Sequence, residues 1–178
     1  FLGPSEMAKK TLFQVLAGER KPDAGDIQWG ITTSRGYMPS DNGAFFQDAS
    51  LDLINWLRQY SADQTETFLR GFLGRMLFSG EEAKKKSTVL SGGEKVRCML
   101  SKLMLAGHNV LIFENPTNHL DLETITALND GMVEFKGTLL FTSHDHEFVQ
   151  TIASRVIEIQ SKGCRDEECT YDQFLGLE

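Results

Sequence analysis

Four places in this 178-residue chain carry side chains able to do chemistry near neutral pH. The first is Gly3-Pro4-Ser5-Glu6-Met7-Ala8-Lys9-Lys10-Thr11. A phosphate-cradling loop needs Gly, four residues, Gly, Lys, then Ser or Thr. Glycines let the backbone turn its N–H groups inward, the lysine adds a point charge, and the hydroxyl holds a divalent cation. Gly3 and Lys9 fit that spacing, Ala8 stands at the second glycine, and Lys10 stands at the hydroxyl. Sliding the register by one makes Lys10 the lysine and Thr11 the hydroxyl, but puts Lys9 where glycine belongs and lengthens the loop. Taken alone, the stretch reads equally well as a helix start with basic residues. The second place is Ser91-Gly92-Gly93-Glu94, where Ser91 is a natural N-cap and the positive helix end suits a phosphate. The third is Glu114-Asn115, directly after an apolar run. Glu114 offers a carboxylate; Asn115 can position a water but cannot take its proton at neutral pH. The fourth is His144, in Ser143-His144-Asp145-His146. A lone histidine is usually structural, but this one ends an apolar strand.

These groups need elements to position them. Val110 to Phe113 is a continuous apolar run, as a central parallel strand covered on both faces requires. Polar residues at the carboxyl end of such a strand sit where ligands bind in open α/β sheets. Thr138 to Thr142 reads as a second buried strand, Arg155 to Ile159 as a further one, and Asp26 to Trp29 and Thr32 to Met38 as two more. Leu12, Phe13, Val15 and Leu16 give a helical apolar face ended by Gly18. Lys95 to Gly107 reads as one helix, with Val96, Met99, Leu100, Leu103 and Met104 inward, and Glu147 to Ala153 as another. Between them, Leu51, Leu53, Ile54, Leu57 and Tyr60 mark one amphipathic helix, and Phe68, Phe72, Leu73, Met76 and Leu77 a second. Phe and Met stripes at this spacing are core rather than ligand sites. Glu81 to Lys86 is mixed in sign and reads as a solvated helix face. Strands alternating with helices make this an α/β chain. Its expected divisions are residues 1–48, with the phosphate-loop part of the α/β core; 49–89, a helical subdomain; and 90–178, the rest of the core with a carboxyl-terminal tail.

Composition narrows the function. A formal charge of −7 gives no basic face for nonspecific nucleic-acid binding. No apolar run approaches the roughly 18 residues of a membrane span. Cys98, Cys164 and Cys169 lack metal-like spacing and read as free thiols in a reducing, cytoplasmic setting. Phe1-Leu2 reads as the end of a strand whose earlier residues lie outside this sequence.

The order Leu90-Ser91-Gly92-Gly93-Glu94, helix, buried strand, then Pro116-Thr117-Asn118-His119-Leu120-Asp121 resembles the ATP-binding cassette family, over nearly the whole chain. Asn118-His119 is similar to the soluble ABC-F branch, which works on ribosomes. That resemblance implies a P-loop-type sheet with a helical subdomain, ATP and Mg2+ as ligands, and a second cassette and the ribosome as partners. It implies that Gly3 to Thr11 cradle phosphates. It makes Ser91 to Glu94 a signature loop that caps nucleotide held by the partner cassette, and Asp121 a D-loop residue crossing to that partner. It puts Glu114 at the magnesium-organising carboxylate, Asn115 at the position of the catalytic glutamate, His144 at the switch histidine and Ser40 at the Q-loop glutamine. Thr170 to Leu175 is similar to the tail that follows ABC-F cassettes. Ala8, Lys10, Ser40 and Asn115 all depart from the family pattern, so impaired hydrolysis is expected. Other functional readings are the ATP-binding subunit of a transporter and an inactive cassette serving as a binding module.

Overall fold

Val110–Glu114 (β2) is buried at every position and forms the middle of a parallel sheet. On one side it pairs with β1 (Arg35–Met38), on the other with β3 (Thr138–Thr142). Its side chains alternate between two apolar layers. Val110 and Ile112 pack with Phe13 of α1 (Glu6–Ala17). Leu111 and Phe113 join a larger cluster with Met99 and Leu103 of α4 (Gly92–Leu105), Leu128 and Met132 of α5 (Leu122–Glu134), and Phe148 of α6 (His146–Ile152). Cover on both faces is why the strand has no polar alternation. The α/β class and the parallel sheet agree with the sequence reading. The computed structural model describes residues 1–177.

A second sheet is the antiparallel hairpin of β4 (Val156–Gln160) and β5 (Gly163–Glu167). Phe1 and Leu2 connect it to the first. The Phe1 nitrogen donates to the Phe141 carbonyl at 2.7 Å. Leu2 N–H donates to the Ile157 carbonyl at 2.8 Å, and Ile159 N–H donates to the Leu2 carbonyl at 2.9 Å. Gly3 then leaves the sheet at φ 146°, where a Cβ would come within 2.5 Å of the Ile159 carbonyl, so only glycine fits.

Residues 49–89 hold α2 (Leu53–Arg58), α3 (Glu66–Arg75) and two short 3-10 turns. Leu53, Trp56, Leu57, Leu69 and Leu73 are buried with α4, and Trp56 stacks on Phe46 at 4.7 Å. The apolar stripes are core, as their spacing implies, except Phe68, which is exposed. The chain ends in α7 (Tyr171–Leu175), opened by a Thr170 capping box and buried through Phe174.

Two expectations need correction. Asp26 to Trp29 is not a strand, and Asp26 to Gln28 are exposed. Among the described residues no strand pairs with the segment to satisfy its ladder, and Ile27 is left exposed. Glu81 to Lys86 is not a helix face but a 3-10 turn over Glu82–Lys84. Its lysines are spent within the chain: Lys84 on Glu81, Lys85 on Glu94, and Lys86 on the Ser50 carbonyl. The helix α5 and the strand β5 carry weak periodic signals and were not anticipated. No helix among the described residues is long and apolar enough to cross a membrane.

Candidate functional site

The first candidate segment folds differently from the spacing rule. Ser5 Oγ accepts the Ala8 N–H at 3.2 Å and caps α1, so the helix begins at Glu6. Gly3, Pro4 and Ser5 form the turn, while Glu6, Met7, Ala8, Lys9, Lys10 and Thr11 are helical rather than an open loop. Ala8 occupies the pattern's second glycine, and Glu6 opens the helix. A glutamate suits the positive helix end, and alanine has the best helix propensity. Lys9 N–H is already bonded to the Ser5 carbonyl at 3.2 Å.

Lys9 is nevertheless buried, at 5% exposure, and its ammonium lies 2.5 Å from Glu6 Oε1. The same Glu6 oxygen is 3.4 Å from His144 Nε2, beyond the end of β3. Glu6 Oε2 accepts the Asn115 amide at 3.5 Å, beyond the end of β2. Three elements therefore converge on one carboxylate. The Lys9 hydrogen bond holds that carboxyl below the usual glutamate range, against a smaller opposing effect of burial. Asn115 adopts φ 44°, a left-handed conformation that Asn tolerates better than most residues. Its N–H donates to Thr142 Oγ1 at 3.0 Å, and its buried Oδ1 has no partner among the described residues.

Glu114 sits beside this cluster, 3% exposed. One of its oxygens accepts the Tyr37 hydroxyl. The other accepts both the backbone N–H and the hydroxyl of Ser40, each at 3.1 Å. Burial, and then the neighbouring Glu114, push the Tyr37 hydroxyl well above its ordinary range, so it stays a donor. Ser40 and Glu114 were read separately from the sequence; the structure makes them partners. Tyr37 was missed, although its place on the strand next to β2 was a usable signal.

These donors do not fit Mg2+. Such an ion needs near-octahedral oxygen ligands. Here the carboxylate is already engaged by three donors, and the expected hydroxyl position holds the exposed Lys10. A phosphate oxygen suits Lys9, His144 and the Asn115 amide, all of which now face Glu6.

Ser91 to Glu94 follow the sequence reading closely. Ser91 caps α4 in a reciprocal capping box: Glu94 N–H donates to Ser91 Oγ at 3.3 Å, and Ser91 N–H donates to Glu94 Oε2 at 2.8 Å. Lys85 reaches the other Glu94 oxygen at 2.6 Å. Burial opposes the Glu94 charge, but Lys85 and Ser91 together hold its carboxyl below the usual range. A Cβ on Gly93 would lie 3.2 Å from the His119 carbonyl, so the turn after β2 packs onto this loop. Asp121 caps α5 by accepting the Thr124 N–H at 2.8 Å. Ser91, Gly93, Arg97, His119 and Asp121 line one open cleft. Lys9, Lys10, Ser40, Glu114 and Asn115 line another, and the two share no residue.

A family model described as ABC transporter matches residues 1–118. The chain is 62% identical over 176 residues to the uncharacterized ABC transporter ATP-binding protein YkpA of Bacillus subtilis, covering 98% of this chain and 33% of that protein. It is 33% identical over 164 residues to the energy-dependent translational throttle protein EttA of Escherichia coli K12, covering 91% of this chain and 30% of that one. The chain thus spans about a third of the length of these relatives. Among solved structures, the RNase-L Inhibitor superposes with a TM-score of 0.79 at 21% identity, over 98% of this chain and 36% of its own. The dimeric, post-hydrolysis cassette MJ0796 superposes with a TM-score of 0.71 at 17% identity, over 94% and 83%. At these identities the structures establish the shared fold alone.

Proposed function

The chain belongs to the ATP-binding cassette family that this model describes, and from that membership we propose that it is one cassette of an ABC-F-type protein, coupling nucleotide state to translation on the ribosome. The observation that carries the two-cassette part is the separation of the clefts. Lys9 and Asn115 line one; Ser91, Gly93 and Asp121 line the other. A phosphate held at Lys9 therefore gets no signature loop from its own chain. A second cassette supplies that loop, and each nucleotide favours the closed pair over the open one. Asn118-His119 and the likeness to a translational throttle protein support the ribosomal partner and a cytoplasmic location. In this role Gly3 to Thr11 meet the phosphates, and the domain acts by binding more than by turnover. Asn115 offers no carboxylate, and Glu114 is engaged by Tyr37 and Ser40.

A second reading is the ATP-binding subunit of a transporter, favoured by the name of the 62%-identical relative. One experiment separates the two. The full-length, two-cassette protein is sedimented with ribosomes in ATP, in ADP and without nucleotide. ATP-dependent co-sedimentation is expected. Equal sedimentation in all three conditions removes the ribosomal reading, and ATP-dependent association with a membrane subunit establishes the transporter.

A further inference from the structure

We infer that Glu6 is an internal occupant of the oxyanion site at Lys9, so that a phosphate enters only by exchanging with this carboxylate. The inference deepens the proposed function and rests on its placing phosphates at Lys9.

Three observations converge. First, Lys9 is a buried cation whose ion-pair partner among the described residues is Glu6, at 2.5 Å. A buried ammonium needs a counter-charge, and here the chain supplies its own. Second, the groups around the Glu6 carboxylate are those an incoming phosphate oxygen would use: the Lys9 ammonium, the His144 ring at 3.4 Å and the Asn115 amide at 3.5 Å. They come from three separate elements, so the arrangement is more than a local i,i+3 helix pair. Third, the Glu6 side chain is itself 57% exposed, while that of Lys9 is 7% exposed. The carboxylate can swing out to water at little cost; the ammonium cannot follow it. Displacement therefore leaves Lys9 facing whatever anion has entered.

The geometry also sets a threshold. A weakly charged anion does not repay the broken pair, whereas a multiply charged phosphate does, because it meets Lys9, His144 and the exposed Lys10 together. Glu114 lines the same cleft and repels a phosphate, which raises the threshold further.

The test has two arms, both on the intact chain. In the first, the Glu6 carboxyl is titrated by carbon NMR in the wild type and in Lys9→Met. The midpoint in the wild type should lie below that in the variant. Equal midpoints overturn the inference with no nucleotide involved. In the second, ATP is titrated calorimetrically into the wild type, Glu6→Gln and Glu6→Asp, with folding checked by thermal melts. Glu6→Gln should bind about three- to tenfold more tightly, the range expected for removing one competing, partly exposed charge pair. Glu6→Asp, whose carboxylate is drawn back by one methylene, should fall between. Equal or weaker binding by Glu6→Gln overturns the inference while leaving a nucleotide-binding cassette in place. No binding by any of the three overturns both readings at this site.

Discussion

Ser40 and Glu114 meet twice: the hydroxyl and the backbone N–H of Ser40 both donate to one Glu114 oxygen at 3.1 Å. Ser40 stands where the family resemblance implies a glutamine, and its short side chain bonds Glu114 directly. Their changes are expected to be coupled. Ser40→Ala should cost about 1–2 kcal/mol, the worth of a hydrogen bond to a charged group. In Glu114→Asp the contact is out of reach, so adding Ser40→Ala should cost much less. Denaturant unfolding of the four proteins in this double-mutant cycle measures the coupling. Additive effects would show that the pair does not act as a unit.

Hydrolysis should be at background. Asn115 stands where the family resemblance implies a base, and losing a general base costs about 100- to 10,000-fold. Phosphate release by the purified chain should match a no-protein control, and Lys9→Ala should leave it there. Release well above the control, abolished by Lys9→Ala, would contradict this expectation directly.

Acid should weaken the Ser91 to Glu94 loop. In the folded chain Glu94 ionises below its ordinary 4.5. Its contribution is therefore complete at neutral pH, starts to fall as pH drops below the unfolded value, and is gone once the folded carboxyl protonates. Wild type and Glu94→Gln should differ by about 1–3 kcal/mol at pH 7, the cost of disrupting a buried, charge-assisted network. Their unfolding midpoints should converge as pH falls through the lowered range of the folded carboxyl. A gap that ignores pH would place the effect in packing and not in charge.

Gly3→Ala should be destabilising through strain. At φ 146° any side chain is disfavoured, and here it also meets the Ile159 carbonyl. A loss of about 1–3 kcal/mol is expected. Faster hydrogen exchange at Leu2 and Ile159 in the variant, with β2 unchanged, would locate the damage.

What the sequence made legible follows from how local the cause is. β2 was readable because burial on both faces leaves a run of apolar residues with sharp ends, and β3 because its apolar residues stand between Gly137 and Ser143, although only Phe141 and Thr142 are buried. The Ser91 cap was readable because a capping box is written in four consecutive residues. The start of α1 was not, since a glycine-spacing rule counts positions and ignores what helix formers do there. Asp26 to Trp29 failed because a strand needs a neighbour, which no local pattern supplies. The Ser40–Glu114 and Glu6–His144 contacts join residues far apart in sequence, so single positions could be flagged but their partnership could not. Thr142, which holds the Asn115 backbone, gave no signal beyond being the last residue of a strand.

The short segment Phe1-Leu2 has a consequence for how this chain is made. It bonds on one side to Phe141 and on the other to Ile157 and Ile159. These partners lie as many as 140 residues further along the chain, so closing the loop carries an entropic cost before any contact repays it. During synthesis β1, β2 and the helices around them can assemble before β4 is made. The polar backbone of Leu2 then stays solvated until β4 arrives. A truncated product lacking β4 would carry an unfinished edge open to other strands.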